Sequence, residues 1–565
     1  KGALIMNKTV MAIVIFLSIF VVNAWFSFDK EIKGDPIAFF AAARAINESG
    51  KPVFYNGEQE PPVQGLWHPP LYIHLLALIM RVFPDYLPSA RSLGILCLLI
   101  TSGIIFLICK EIDCNRGAYK TLALSAIFIL MGCPLFIQGA FVFDIDFSIL
   151  PVLLLLFLLS YLKFTTKPTV KKMVVLTFLF ALVLWAKLTT PLIFPLVVLF
   201  YHMVRREWRM VFKAFLIFTC AILLFILTWW LYSEIVAVPF SYPFWFTLKD
   251  KFLSLFSAAG ANQNISRVSM KNRLISVRWD ILIVTPLLAV LYLAVFFKRL
   301  AVLVRRKRLL EQTDLLYLIS FGIIGGYGIL YSSQTCVSKY IYPALPLAAI
   351  LMALEANETL EKIIASKGWI ALSIIMLGAI MGGLVFPEML SFNWGGHPLK
   401  IKLLSMLLYG FPLGLVFVPL INGKIKLAFF TAFLVTALLY NGGLGMTQCL
   451  KQSASPNLMP VIAISEKGFK ETVKYISLLD NTLLMMCHRD IGYYWPGRYI
   501  DIYSLSRLEV MNYIQNSKPD IVVTSYERQS PVQDSIITMC RRLSYAKMAD
   551  IGSFSIYKVP GEKLP

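Results

Sequence analysis

Apolar runs of about 18 residues recur along most of the chain, each long enough to cross a hydrocarbon core of about 30 Å. The pattern predicts thirteen membrane-spanning helices, at roughly 9–28, 90–109, 117–137, 145–162, 172–187, 189–204, 212–232, 279–297, 314–332, 338–354, 369–386, 402–421 and 425–445. The apolar stretch 69–83 is short for a crossing, so a helix lying at the interface is expected there. The first run, about Thr9–Phe28, exceeds the apolar core of a signal peptide and lacks a small-residue cleavage site, so it is expected to be retained.

From about residue 450 the pattern changes. Helix-like stretches at Glu466–Leu479 and Ser504–Asn516 alternate with short β-branched or apolar runs at Leu483–Cys487, Tyr499–Tyr503, Ile521–Thr524 and Phe554–Val559. Such alternation predicts a small α/β domain with a mostly parallel sheet. About 110 residues suffice for a core of its own. The predicted organisation is a polytopic α-helical membrane domain, 1–449, with outer loops 29–89 and 233–278, followed by a soluble α/β domain, 450–565. No glycine-rich phosphate loop is present, which argues against Rossmann-type nucleotide binding.

Composition agrees with the pattern. The 565 residues are 58% apolar and 15% charged, against about 45–50% and about 25% in soluble domains. A net charge of +21 suggests nucleic acid at first sight, but the Lys and Arg sit in short loops between spans. Placing the N-terminus inside makes Lys110–Arg116, Lys163–Lys172, Arg205–Lys213, Lys298–Arg308, Lys362–Lys367 and Lys424–Lys426 cytoplasmic, as the positive-inside rule requires. Counting 69–83 as a crossing would invert every later loop. The nine cysteines show no paired or metal-like spacing and imply no disulfide framework. No internal repeat is visible, which counts against a transporter built from two related halves.

Candidate chemistry concentrates on the outer face. Asp35 lies between Gly34 and Pro36 and opens an Ala-rich helix, Ile37–Ile46. An Asp before Pro is commonly a helix cap; a carboxylate base activating an acceptor is the other reading. Trp67-His68-Pro69-Pro70-Leu71-Tyr72 holds an imidazole before the first turn of the interfacial helix. His68 reads as a headgroup-level residue, or as a ligand for metal or phosphate.

An Asp soon after the first span, then FFAAARAINESGKPVFYN and HPPLY, resembles the first outer loop of GT-C glycosyltransferases, nearest to the protein O-mannosyltransferase and lipid A aminoarabinose transferase group. The Asp144 turn, AKLTTP (186–191) and SKYIYPALP (338–346) extend the resemblance to about the tenth span, and the thirteen-span layout with an outer tail matches the aminoarabinose branch. The resemblance implies a donor sugar on a polyprenyl phosphate, transfer outside the membrane, and Asp35 as the catalytic Asp. Aminoarabinose transferases carry Glu-Lys where this chain has Trp67-His68, so that branch's metal and phosphate contacts do not carry over directly.

Further expectations follow for the substrate site. Asp144 lies at the outer end of a span, where a carboxylate either is solvated or lines a polar cavity, and the resemblance favours the active-site cavity; Asp146, two residues on, is expected on another helix face. Lys187 reads either as a snorkelling side chain or as a holder of the carrier phosphate. Lys339 and Tyr342 repeat that pattern, and Tyr72 stands beside His68. Arg267 and Arg273, with Lys271 and Arg278, make the second outer loop basic, which reads either as ordinary solvated loop charge or as the cations a phosphate leaving group would favour.

The reading is an inverting glycosyltransferase with Asp35 as general base, its site residues gathered at the exoplasmic leaflet. Its partners are a polyprenyl-phosphate sugar, a lipid, glycan or protein acceptor, and membrane lipid, with no nucleic acid. The implied location is a bacterial inner membrane, N-terminus cytoplasmic and C-terminal domain periplasmic. A polyprenyl-linked lipid flippase or transporter is the alternative. Sugar, acceptor and any divalent metal stay open.

Overall fold

A computed structural model describes residues 35–52, 66, 68–83, 86–112, 119–131, 136, 144–244, 292, 295–296, 299–300, 311–330, 340–365, 468–480, 483–492, 494–495, 497–502, 507–525 and 531–559. The chain divides into two compact units. One comprises Lys1–Asp29 with Ala90–Ile462, the other Lys30–Ser89 with Ala463–Pro565. This differs from the partition expected from sequence, because the first outer loop groups with the tail rather than with the spans.

The helical unit contains most of α3 (Tyr86–Ile112), then α4 (Tyr119–Met131), α5 (Ile149–Thr166), α6 (Val170–Ala186), α7 (Ile193–Val204), α8 (Trp208–Val236), α9 (Gln312–Leu330) and α10 (Leu345–Ala365). Among the described residues three helices are long and apolar enough to span a bilayer: Arg91–Ile112, Ile149–Thr166 and Trp208–Val236. Shorter apolar helices occupy Leu71–Met80, Thr190–Val204 and Tyr342–Glu355. The expected spans 9–28, 369–386, 402–421 and 425–445, and most of 279–297, lie outside the described residues.

Helices α5 to α8 run up and down in sequence; α6 packs against both α5 and α8, and α7 packs against α8. The Thr169 hydroxyl caps α6 by accepting from the Lys172 N–H at 3.4 Å. Ala237, at φ 58°, closes α8 in the left-handed region. Where the four helices meet, the Phe157 ring lies 5.1 Å from Phe180, 5.8 Å from Phe194 and 5.8 Å from Phe218. Such aromatic contacts add about 0.5–1.5 kcal/mol each beyond area burial. Helix α9 comes close against α7 through Gly322, where an added Cβ would stand 2.8 Å from the Ile193 side chain. Small residues permit that approach between membrane helices, where burial of apolar surface supplies little drive.

The second unit pairs two short helices from the first loop with the tail. Helix α1 (Asp35–Ser49) and helix α2 (Leu71–Met80) pack against each other. Phe39 meets Tyr72 edge-on at 5.5 Å near their starts, and the Asn47 amide donates to the Ala77 carbonyl at 3.0 Å near their ends. The two helices therefore run in the same direction. At 10 residues and about 1.5 Å per residue, α2 reaches only about half the hydrocarbon thickness. That length agrees with the expected interfacial helix.

The tail holds α11 (Phe469–Ile476), β1 (Met485–Cys487), α12 (Arg489–Gly492), β2 (Tyr499–Asp501), α13 (Arg507–Asn516), β3 (Ile521–Ser525), α14 (Pro531–Arg542), β4 (Ala546–Ile551) and β5 (Phe554–Lys558). Strand order is β2-β1-β3-β5-β4. The β1–β2 and β1–β3 pairs are parallel, while β3–β5 and β4–β5 are antiparallel. The sheet is thus mixed, and the expectation of a mostly parallel one is corrected. The difference is the edge hairpin β4–β5, whose Ala-Lys-Met-Ala-Asp-Ile strand is largely exposed and carries no clean alternation. Ile551 pairs with Phe554 across a two-residue turn, Gly552-Ser553, with Gly552 at φ 60°. Glycine takes that positive φ without strain at the first central position of a hairpin turn.

Candidate functional site

The helical unit gathers charged side chains at two ends. At one, α5 is preceded by a turn, Asp144–Ser148, and α6 stops at Ala186 with Lys187 extended beyond it. The Lys187 ammonium donates to both Asp146 carboxylate oxygens, at 2.5 and 2.6 Å. The side chains are 0% and 1% exposed. The same ammonium stands 4.5 Å over the Tyr340 ring, just before the turn that leads into α10. Cation–π attraction is strongest where water is excluded.

Asp144 is also buried. Its Oδ1 accepts from the Asp146 N–H at 3.2 Å, and its carbonyl accepts from the Ser148 hydroxyl at 2.6 Å. The turn is thereby tied from within, and it aims the Asp146 carboxylate at Lys187. Asp146 is the site residue that sequence reasoning passed over. Helical spacing had set it on another face from Asp144, but residues 145–148 form a turn and α5 begins only at Ile149. The signal was present in Lys187 itself, since a lysine at the end of an apolar run requires a carboxylate when it is buried.

Tyr342 belongs to the same end with a packing position. Its hydroxyl donates to the Phe136 carbonyl at 2.8 Å, and its ring stacks on Phe136 and meets Phe147 edge-on at 4.8 Å. This geometry holds the start of α10.

At the opposite end of the same helices, His202 sits between the Tyr161 hydroxyl, 2.8 Å from Nε2, and Glu207, 2.7 Å from Nδ1. Arg205 donates to the other Glu207 oxygen at 2.8 Å. Arg299 grips Asp314 through two bonds at 2.6 and 2.9 Å, and Tyr201 donates to the Glu311 carbonyl at 3.1 Å.

In the second unit, Asp35 is the first residue of α1. His68 and Tyr72 are buried at the start of α2. Trp67, Lys339, Arg267, Arg273, Lys271 and Arg278 lie outside the described residues. Among the described residues, no three His, Cys, Asp or Glu side chains come together as metal ligands. In the tail, burial pushes the Cys540 thiol up to about 12 and the Cys487 thiol well above its ordinary range. Neither is a ready nucleophile.

Residues 67–232 match the family described as dolichyl-phosphate-mannose-protein mannosyltransferase. The fold is similar to that of ArnT from Cupriavidus metallidurans bound to undecaprenyl phosphate, with a TM-score of 0.61, 14% identity and 97% of each chain covered. The apo state of ArnT gives 0.58, with 16% identity and 98% of each chain. The oligosaccharyltransferase of Archaeoglobus fulgidus in its apo form gives 0.52 at 10% identity, covering 91% of this chain and 70% of that one. No curated protein sequence gives a significant match.

Proposed function

Proceeding from the GT-C glycosyltransferase fold, we propose that this integral membrane protein transfers a sugar from a polyprenyl-phosphate-linked donor to an acceptor. The observation that carries the reading is the fold shared, over nearly the whole of both chains, with a protein solved bound to undecaprenyl phosphate. The family match over 67–232 points the same way, since its description names a lipid-phosphate-linked sugar.

In this proposal Asp35 is the general base. It takes a proton from the acceptor nucleophile, which attacks the anomeric carbon. The bond from that carbon to the phosphate oxygen breaks, and the lipid phosphate leaves with the electron pair. Attack opposite the leaving group inverts the configuration. A phosphate is a good leaving group and needs no general acid, only nearby cations. Arg267, Arg273 and Lys339 are assigned that role from sequence, and His68, Tyr72 and Asp144 are assigned contacts to substrate. Lys187 is likewise assigned the carrier phosphate, and Tyr342 a contact to substrate, from sequence; within the helical unit the pair with Asp146 holds the Lys187 ammonium in place. The reaction is placed on the exoplasmic face, in a bacterial inner membrane with the N-terminus inside, because the Lys- and Arg-rich loops mark the other face.

The test is sugar transfer from radiolabelled polyprenyl-phosphate sugars in membranes containing the protein. Transfer is expected with the natural chain and its loss with Asp35→Asn at unchanged membrane abundance. Near-normal turnover by Asp35→Asn would remove the assignment of the base. Absence of transfer from every lipid-phosphate sugar offered would remove the activity.

A further inference from the structure

The first seven side chains after Pro36 in α1, Ile37 to Ala43, are all buried. A helix apolar all round is one covered on all sides. One cover is α2, through Phe39 and Tyr72. The other comes from more than 400 residues downstream. Ile37, Ala38 and Ala41 share one buried cluster with Phe469 and Ile476 of α11, Met485 and Cys487 of β1, Ile521 and Val523 of β3, and Phe554 and Ile556 of β5.

The opposite face of the sheet has a separate cluster. There Met486, Val522 and Tyr557 pack with Val510 and Ile514 of α13 and Ile536, Met539 and Cys540 of α14. The tail is therefore a three-layer sandwich with a borrowed piece: α13 and α14 cover one face, while α11, α12 and the distant α1 share the other. Ala38 and Ala41 suit that seam because their short side chains let the α1 backbone approach. Any larger residue would meet a packed interior, which resists added volume.

We infer that the tail is a positioning element for Asp35: its sheet fixes the start of α1 through Ile37, Ala38 and Ala41, and so sets where that residue stands. The inference rests on Asp35 being the base. A misplacement of about 1 Å costs up to about 100-fold in rate, so loosening the seat lowers kcat with little change in the KM for the donor.

Two large-to-small substitutions in the full-length membrane protein test this, each combined with hydrogen exchange of the α1 amides. Phe469→Ala opens the cluster that holds α1, and Met539→Ala opens the cluster on the other face. Phe469→Ala is expected to speed exchange in α1 and to lower kcat about tenfold or more, within the range for small misplacements. Met539→Ala is expected to leave both close to the natural values. If both variants or neither speed exchange in α1, the seat is not specific and the inference falls. If only Phe469→Ala speeds exchange but kcat holds, the seat is real and its positioning role is refuted. Asp35→Asn, measured alongside, separates the readings. Its full activity would remove the base while leaving the seat, and its inactivity with an unchanged kcat in Phe469→Ala would keep the base and remove the positioning role.

Discussion

The two ends of the helical unit hold charge in opposite ways. Around Lys187 there is one cation and one carboxylate in direct contact, with essentially no exposure of either. Around Arg205 and Glu207 the charges spread over a partly open network, with side-chain exposures of 29% and 33%. Arg299–Asp314 lies between these extremes, with the carboxylate buried and the guanidinium part-exposed. Water explains the difference in expected energetics. A partly solvated pair replaces hydration it already had, so it gains little. A buried pair is held together mainly by the cost of leaving either partner alone.

The largest effect should therefore come from breaking the buried pair on one side. Lys187→Met is expected to destabilise the folded membrane protein by about 3–5 kcal/mol, because it strands a buried carboxylate. Unfolding in detergent measures this, and a loss under about 1 kcal/mol would mean that water reaches Asp146. Joining Asp146→Leu to Lys187→Met should recover much of the loss, since an apolar replacement of both partners is often neutral. Strict additivity of the two single losses would contradict the direct contact seen at 2.5 Å. Activity need not recover in the double variant if the lysine also serves the donor phosphate.

At the other end the effects shrink. Tyr161→Phe removes the hydroxyl that faces His202 at 2.8 Å and should cost about 1–3 kcal/mol, the price of an unmade buried hydrogen bond. Arg205→Ala should cost below about 1 kcal/mol and lose even that in high salt. An effect of Arg205→Ala as large as that of Lys187→Met would erase the contrast between the ends. The exposed limit is the Lys547–Asp550 pair of the tail, at 2.6 Å with both side chains largely in solvent. Hydrogen bonds from Lys547 and Ser555 hold the Asp550 carboxyl below its ordinary range. A carboxylate with a depressed folded value stabilises above its unfolded pKa of about 4 and loses that contribution as pH falls through the folded value. Screening keeps it to a few tenths of a kcal/mol, so Asp550→Asn should flatten the acid limb of tail stability only slightly.

Much of the helical unit was legible because lipid imposes a simple rule. Backbone polar groups must be paired within the segment, so long apolar runs become helices. Runs near 90–109, 145–162 and 212–232 correspond to the three long apolar helices Arg91–Ile112, Ile149–Thr166 and Trp208–Val236. The tail's strands at Met485–Cys487, Tyr499–Asp501, Ile521–Ser525 and Phe554–Lys558 were legible for a related reason, because fully buried strands read as short apolar runs. Strand β4 escaped because an exposed edge strand is under no such constraint. The Gly552-Ser553 turn marked it, once the flanking runs were set side by side.

The sequence by itself determined where long apolar helices form, where they give way to alternating strands and helices, and which polar residues stand out against apolar surroundings. Those are local properties, written in hydropathy and spacing over 20 or so residues. Partnership was decided by tertiary structure alone. That Lys187 takes Asp146 across 41 positions, and that Ile37, Ala38 and Ala41 complete a core whose sheet begins at Met485, depend on contacts between segments remote in the chain. Hydropathy says that a side chain must be covered or a charge compensated, but packing selects which of many eligible groups does it.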